Sequence, residues 1–219
     1  QPNDRTPALA GVRDCGRAEA LACREPASKP HMLDADFHRD ITRNPVNAHI
    51  LARWGRIDLP HAWLVAGCLF QTVWNLQAGR APDADIKDVD LFYFDPTDLG
   101  EDAERQAAAH VRDVLGDLGL AVDVANQARV HLWYPGHFGR PYDALTSAEE
   151  GIASFLVRET CVGIRPGQCV APYGLQGIYA CTLTPNPRVP YPELFARKAA
   201  SYRARWPHLA WGAGAAEGA

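Results

Sequence analysis

Lys87-Asp88-Val89-Asp90-Leu91-Phe92-Tyr93-Phe94-Asp95 is an apolar strand pattern that begins with two acids separated by one residue. Successive side chains of a strand point to opposite faces, so Asp88 and Asp90 share a face. Two carboxylates this close repel each other, and a divalent cation with oxygen ligands relieves the repulsion, commonly magnesium that carries substrate phosphates. The pair favours metal-assisted phosphoryl chemistry. A solvated strand start is the alternative that this motif alone leaves open.

A strand, a glycine and a helix follow one another directly upstream of the acids. Residues 63–66 are a short apolar strand that stops at Gly67, and residues 68–76 carry apolar side chains at helical spacing. Glycine lets a phosphate approach the backbone, and a helix N-terminus offers unpaired N–H groups to anionic oxygens. Gly67 and Cys68 are therefore predicted to bind the phosphates of a nucleotide, with a simple tight turn as the alternative.

A third acid lies downstream, in a stretch whose alternation predicts a long strand over residues 120–134 with a bend near its middle. Asp123 is predicted to complete a carboxylate triad, as a metal ligand or a base, with a solvated strand start as the alternative. The same alternation places Gln127, Arg129 and His131 on the face of Asp123 as candidate substrate contacts. An ion pair for Arg129 and a satisfied polar role for His131 remain open.

The rest of the chain alternates strand and helix patterns. Helices are predicted up to Gly55, over residues 101–118 with Gly119 as the terminator, and over residues 191–206; short strands are predicted over residues 161–164 and 169–171. These patterns predict an α/β or α+β domain in which helices flank a mixed central sheet. One domain is expected over residues 32–211, with a disordered or non-native tail over residues 1–31 and a flexible tail over residues 212–219.

Composition narrows the classes of partner. The chain has 22 basic and 26 acidic residues and a net charge of −4, which argues against a long DNA duplex as a partner. No run of eighteen apolar residues occurs, so no membrane span is predicted. The first thirty residues lack the continuous apolar stretch of a signal peptide, so secretion is not predicted and a cytoplasmic location is expected. The six cysteines contain no C-x-x-C pair and are predicted to be reduced, mostly buried thiols.

Four motifs together resemble a bacterial family of uncharacterised nucleotidyltransferase-like proteins over residues 48–209. The motifs are Ala66-Gly67-Cys68, the stretch from Ile86 to Asp95, the stretch from Asn126 to Tyr134, and Ala171-Pro172-Tyr173-Gly174-Leu175. The resemblance implies a polymerase-beta-like nucleotidyltransferase fold. It also implies a nucleoside triphosphate substrate, Mg²⁺ or Mn²⁺ as cofactor, and transfer of a nucleoside monophosphate to an unidentified hydroxyl-bearing acceptor.

Site residues can be carried over from this resemblance one at a time. Gly67 matches the glycine that holds the triphosphate, Asp88 and Asp90 match the metal-binding D-x-D pair, and Asp123 matches the third acid on a following strand. Cys68 stands where the wider nucleotidyltransferase superfamily usually has Gly or Ser, which leaves its contribution open. The interval from Gly67 to Asp88 is also longer than the corresponding interval in the compact pattern of that superfamily.

The sequence also bears on other classes of function. A catalytically inactive relative that binds a nucleotide or a protein partner is the leading alternative, because a fold does not establish an activity. A regulatory interaction protein would need an exposed apolar surface. Hydrolase classes are disfavoured because the sequence has no G-x-S-x-G, H-E-x-x-H or G-x-x-x-x-G-K-[ST] motif.

Overall fold

A computed structural model describes residues 32–214 of the chain. The predicted amino-terminal tail, with Cys15 and Cys23, lies outside the described residues, as do residues 215–219. Within residues 32–214 no helix is long and apolar enough to cross a membrane.

A five-stranded sheet carries the acids identified in the sequence. Its strands are β1 (Trp63–Val65), β2 (Asp88–Tyr93), β3 (Ala121–Asn126), β4 (Gly163–Arg165) and β5 (Gln168–Val170). Their order across the sheet is β3-β2-β1-β4-β5. β2 and β3 are parallel, while the other neighbouring pairs are antiparallel. The predicted mixed sheet is therefore confirmed.

Helices precede, connect and follow these strands. They are α1 (Met32–Ile41), α2 (Pro45–Ala52), α3 (Trp54–Ile57), α4 (Gly67–Gln77), α5 (Glu101–Leu115), α6 (Val130–Phe138), α7 (Ala148–Ile152), α8 (Gln176–Tyr179) and α9 (Pro192–Arg205). A parallel pair of two-residue strands, β6 (Thr182–Leu183) and β7 (Ala210–Trp211), lies after the main sheet in the chain. The helices and the mixed sheet confirm the α/β (α+β) class.

The core explains why α4 is held so firmly beside the sheet. Every residue from Gly67 to Asn75 is buried. Trp74 is fully buried and makes edge-on ring contacts with Tyr202 and Trp206, which come from the carboxyl-terminal part of the chain. Burial of large aromatic rings is among the strongest sources of packing energy. The helix that begins at Gly67 is consequently anchored to the carboxyl-terminal part of the chain.

The long strand predicted over residues 120–134 is wrong beyond Asn126. β3 ends there, a 3-10 turn covers Gln127–Arg129, and α6 begins at Val130. The Asn126 side chain accepts a hydrogen bond from the N–H of Ala128 at 3.1 Å, which caps the turn. Val130 and Tyr134 are both buried and lie four residues apart, which is helical spacing. The apolar and polar residues that alternate beyond Asn126 therefore belong to a turn and a helix, not to a strand.

Smaller differences concern helix ends and thiols. α5 ends at Leu115 rather than at residue 118, because Gly116 has a positive φ of 67° and its N–H bonds to Arg112 at 2.9 Å. α2 ends at Ala52, ahead of Gly55. Among the described cysteines, Cys68, Cys161, Cys169 and Cys181, none forms a disulfide. Cys169 is exposed, contrary to the expectation of burial.

Candidate active site

Strand register brings the three acids to one region of the sheet. Asp90 of β2 lies directly opposite Asp123 of the parallel strand β3. On the other side of β2, Val65 of β1 lies opposite Asp90. Residues in register on neighbouring strands point to the same face, so Asp123 shares the face of Asp88 and Asp90. All three acids are partly buried.

Gly67 faces the space in front of the acid pair. A Cβ atom placed on Gly67 would lie 3.9 Å from Oδ1 of Asp88 and 3.9 Å from Oδ2 of Asp90. Because glycine has no side chain, this space stays open to a ligand. The missing Cβ and the two carboxylates together define a small cradle, which is called the Gly67 cradle below.

The first turn of α4 adds anion-binding groups to the cradle. Ala66, the N-cap residue, has the unusual dihedral angles φ 53° and ψ −111° and provides no side-chain cap. The N–H groups of Leu69 and Phe70 bond back to the carbonyl oxygen of Ala66. The N–H groups of Gly67 and Cys68 precede this hydrogen-bonded turn, at the positive end of the helix dipole. They suit the oxygens of a phosphate.

Buried polar side chains support the turn from beneath. The carbonyl oxygen of Cys68 accepts hydrogen bonds from Asn47 at 2.9 Å and from the Thr72 hydroxyl at 2.7 Å. Thr72 in turn accepts from Asn44 at 2.9 Å. All three supporting side chains are buried. The turn is therefore pre-organised, since each of these contacts is shielded from water.

The side chain of Cys68 is buried and contacts the backbone of β1. Its Sγ lies 3.9 Å from the carbonyl oxygen of Val65, to which the thiol donates. Burial, followed by the negative charge of Asp90, raises the pKa of the Cys68 thiol well above its usual range. A protonated, buried thiol is neither a nucleophile nor a metal ligand. The Cys68 thiol is thus unsuited to a ligand role, and a phosphate contact through the Cys68 backbone stays a prediction.

The donor set at the cradle fits a metal ion that arrives with phosphates. Within residues 32–214, no group of three or more His, Cys, Asp or Glu side chains is arranged to hold a metal ion. Asp88 and Asp90 still converge on the cradle. Magnesium is commonly bound by one or two carboxylates together with substrate phosphates and water rather than by a complete protein cage. The metal-ligand role of Asp123 stays a prediction.

The three tentative substrate contacts lie beyond the end of β3. Arg129 forms an ion pair with Glu104 of α5, and its side chain is only 10% exposed. Gln127 is buried and packs against Gly151. His131 has a buried Nδ1 without a hydrogen-bond partner among the described residues. The shared strand face that first grouped these residues with Asp123 does not exist, and their contact with substrate stays a prediction.

One residue of this region, Gln71, is not among the predicted site residues. It lies four residues after Gly67 on α4, and its Nε2 is 3.3 Å from the position of the missing Cβ. Its side chain is buried. The available signal was helical spacing, because residues four apart share a helix face.

Comparisons with known proteins identify a family and a similar fold. A family model described as nucleotidyltransferase matches residues 52–211, well over half of the chain. A structure solved by NMR and described as a CCA-adding enzyme head domain is similar in fold, with a TM-score of 0.64 and 22% sequence identity. That likeness covers 81% of this chain and 95% of the other. No curated protein matches the sequence.

Proposed function

The chain belongs to the nucleotidyltransferase family, and on that premise we propose that it transfers a nucleoside monophosphate from a nucleoside triphosphate to a hydroxyl-bearing acceptor in a metal-dependent reaction. One observation carries the proposal. Gly67, at the amino end of α4, faces a carboxylate oxygen of Asp88 and one of Asp90, each 3.9 Å from its missing Cβ. Anion-binding N–H groups and cation-binding carboxylates thus border the same space.

Each acid has a proposed part in the reaction. Asp88 and Asp90 would hold the metal ion, Mg²⁺ or Mn²⁺, and the N–H groups of Gly67 and Cys68 would bind phosphate oxygens. When bound, the metal would neutralise the negative charge that develops as pyrophosphate leaves. Asp123, opposite Asp90 in the sheet, would accept the proton of the acceptor hydroxyl as that oxygen attacks the α-phosphorus.

The acceptor is proposed to be something other than a long DNA duplex. The net charge of −4 and the acids at the cradle oppose the broad basic surface that a duplex requires. A small alcohol, an antibiotic, a protein side chain and an RNA end all carry the needed hydroxyl. An acceptor screen should therefore include one compound of each class.

Calorimetric titration with ATP, GTP, CTP and UTP, with and without Mg²⁺, tests the metal site. The unmodified protein should bind at least one triphosphate in a Mg²⁺-dependent manner. The Asp88→Asn/Asp90→Asn variant should lose this dependence, because amides replace both charged ligands. Asp83→Asn/Asp113→Asn is the matched control, since it removes two exposed carboxylates and changes the net charge by the same amount.

The role of Asp123 is tested by the same titration together with an assay of pyrophosphate release, run with an acceptor from the screen. With Asp123→Asn, triphosphate affinity should stay within about threefold of the parent, while pyrophosphate release falls about 10²- to 10⁴-fold, the usual contribution of a general base. A folded parent protein that binds no triphosphate would overturn the proposal and favour an inactive relative. Equal Mg²⁺ dependence in the Asp88/Asp90 variant would place the metal elsewhere.

A further inference from the structure

Gln71 is a buried amide whose carbonyl oxygen, Oε1, finds no hydrogen-bond partner in the part of the chain that the structure describes. Its side chain is only 6% exposed, on the helix that begins at Gly67. Its Nε2 lies 3.3 Å from the position that a Cβ of Gly67 would take. One carboxylate oxygen of Asp88 and one of Asp90 each lie 3.9 Å from the same position. The amide therefore borders the Gly67 cradle.

A neighbouring amide on the same helix behaves differently. Asn75 donates to the carbonyl oxygen of Ala84 at 2.7 Å and accepts from the indole N–H of Trp206 at 2.7 Å. Its hydrogen bonds hold the loop that leads to Asp88 against the end of α9, and this is a structural role. An unpaired buried carbonyl destabilises a fold, whereas an apolar residue of similar shape would not. The amide of Gln71 is thus better explained by a ligand than by packing.

We propose that Gln71 is a substrate-binding residue that recognises the metal-bound triphosphate. Its Nε2 donates to a phosphate oxygen resting against Gly67, and its Oε1 accepts from the hydrated cation held by Asp88 and Asp90. This inference rests on the proposed function and identifies a further residue of the same site. The two ends of an amide can exchange places, so the side chain offers one donor and one acceptor in either orientation.

Because the amide has both a donor and an acceptor, it favours the metal–triphosphate complex over the free triphosphate or the free cation. Phosphate oxygens only accept hydrogen bonds, so a triphosphate without metal satisfies Nε2 alone. A hydrated cation only donates, so it satisfies Oε1 alone. The metal–triphosphate complex completes both ends at once. Gln71 therefore contributes more to binding of the complex than to binding of either component.

Gln71→Leu, of similar size but without polar atoms, is the primary test. Calorimetry should show binding of the Mg²⁺ complex of the preferred triphosphate weakened about 10- to 100-fold, the effect of lost hydrogen bonds to charged groups. The thermal midpoint should stay level or rise, because an unpaired buried amide is removed. Gln77→Leu makes the same change at the exposed end of α4, where Gln77 bonds to Tyr179, and should leave affinity unchanged.

Two further variants complete the test. Gln71→Met is a second apolar replacement with the same expected result should Gln71→Leu fold poorly. Gln71→Glu keeps an acceptor and adds a negative charge, so it should weaken triphosphate binding while tightening binding of Mn²⁺ alone, measured by electron paramagnetic resonance.

The outcomes separate this inference from the proposed function. A parent that binds no metal–triphosphate overturns the proposed function itself. A parent that binds, with Gln71→Leu and Gln71→Met binding equally well, overturns only the role of Gln71. A lowered thermal midpoint with unchanged affinity in both apolar variants also overturns it, because that result assigns Gln71 to packing.

Discussion

The absence of a side chain at Gly67 leaves open the space of the Gly67 cradle, in front of Asp88 and Asp90. The carboxylates of Asp88 and Asp90 and the amide of Gln71 all point towards the position that a Cβ would take. Any residue other than glycine would fill part of that space. The backbone conformation does not require glycine at this position, because the φ of Gly67 is not left-handed. Under the proposed function, glycine is needed there because a ligand occupies this space.

Gly67→Ala should weaken binding of the metal–triphosphate by about tenfold or more, because the new methyl group lies where a phosphate oxygen approaches. Folding should be nearly unaffected: the tightest contact is 3.3 Å, to the flexible end of Gln71. Calorimetry and a thermal melt measure the two effects. Gly55→Ala is the control, since no atom lies within 4 Å of its new methyl. Unchanged affinity for Gly67→Ala would show that phosphates bind elsewhere.

At the scale of elements, β3 depends on a polar network at its carboxyl end. Glu104 of α5 pairs with Arg129 and accepts a hydrogen bond from the N–H of Asn126 at 2.8 Å. The amide of Asn126 bonds across to the backbone of Asp95, just beyond β2. These contacts tie α5 to the ends of both parallel strands. They maintain the register that sets Asp123 opposite Asp90.

Arg129→Met should lower the free energy of unfolding by about 3–5 kcal/mol, because Glu104 would stay largely buried without its partner. Urea denaturation measures this loss. Triphosphate affinity of the folded fraction should stay within about threefold of the parent if Arg129 is structural. Arg105→Met on α5 removes two exposed ion pairs, with Glu101 and Asp102, so it should cost less than about 1 kcal/mol. A selective loss of affinity in Arg129→Met would restore Arg129 as a substrate contact.

At the scale of the whole molecule, buried hydroxyls and thiols limit stability at alkaline pH. Burial, followed by the charge of Glu104, raises the pKa of Tyr93 to about 12. Burial likewise raises the pKa of Tyr134 and of Cys161 to about 12 each. The folded state retains these protons to higher pH than the unfolded chain. Their stabilising effect is therefore complete below the unfolded pKa values and is lost as pH rises towards 12.

The thermal midpoint should fall progressively between about pH 9 and pH 12, with the largest drop above about pH 10, where unfolded tyrosine ionises. Melting curves across this range, read together with tyrosinate absorbance, measure the effect. Tyr134→Phe should make the fall shallower, because it removes one of the groups; its hydroxyl has no partner among the described residues. A midpoint independent of pH up to 12 would contradict this account.

Local patterns were sufficient to predict much of this protein. Strand alternation placed Asp88 and Asp90 on one face, and a strand that stops at Gly67 predicted the helix after it; both are near-neighbour properties of the chain. The mixed sheet and the family also followed from these patterns and motifs. Beyond Asn126 local reasoning failed, since a side-chain cap ended the strand where alternation still continued.

Tertiary structure decided what depends on contacts between distant segments. The pairing of β2 with β3 set Asp123 opposite Asp90, although alternation alone could place each acid only within its own strand. The burial of α4 turned Gln71 towards the cradle, and α5 supplied Glu104 as the partner of Arg129. The physical reason is that alternation and helical spacing act over a few residues, while register and ion pairing depend on which elements pack together.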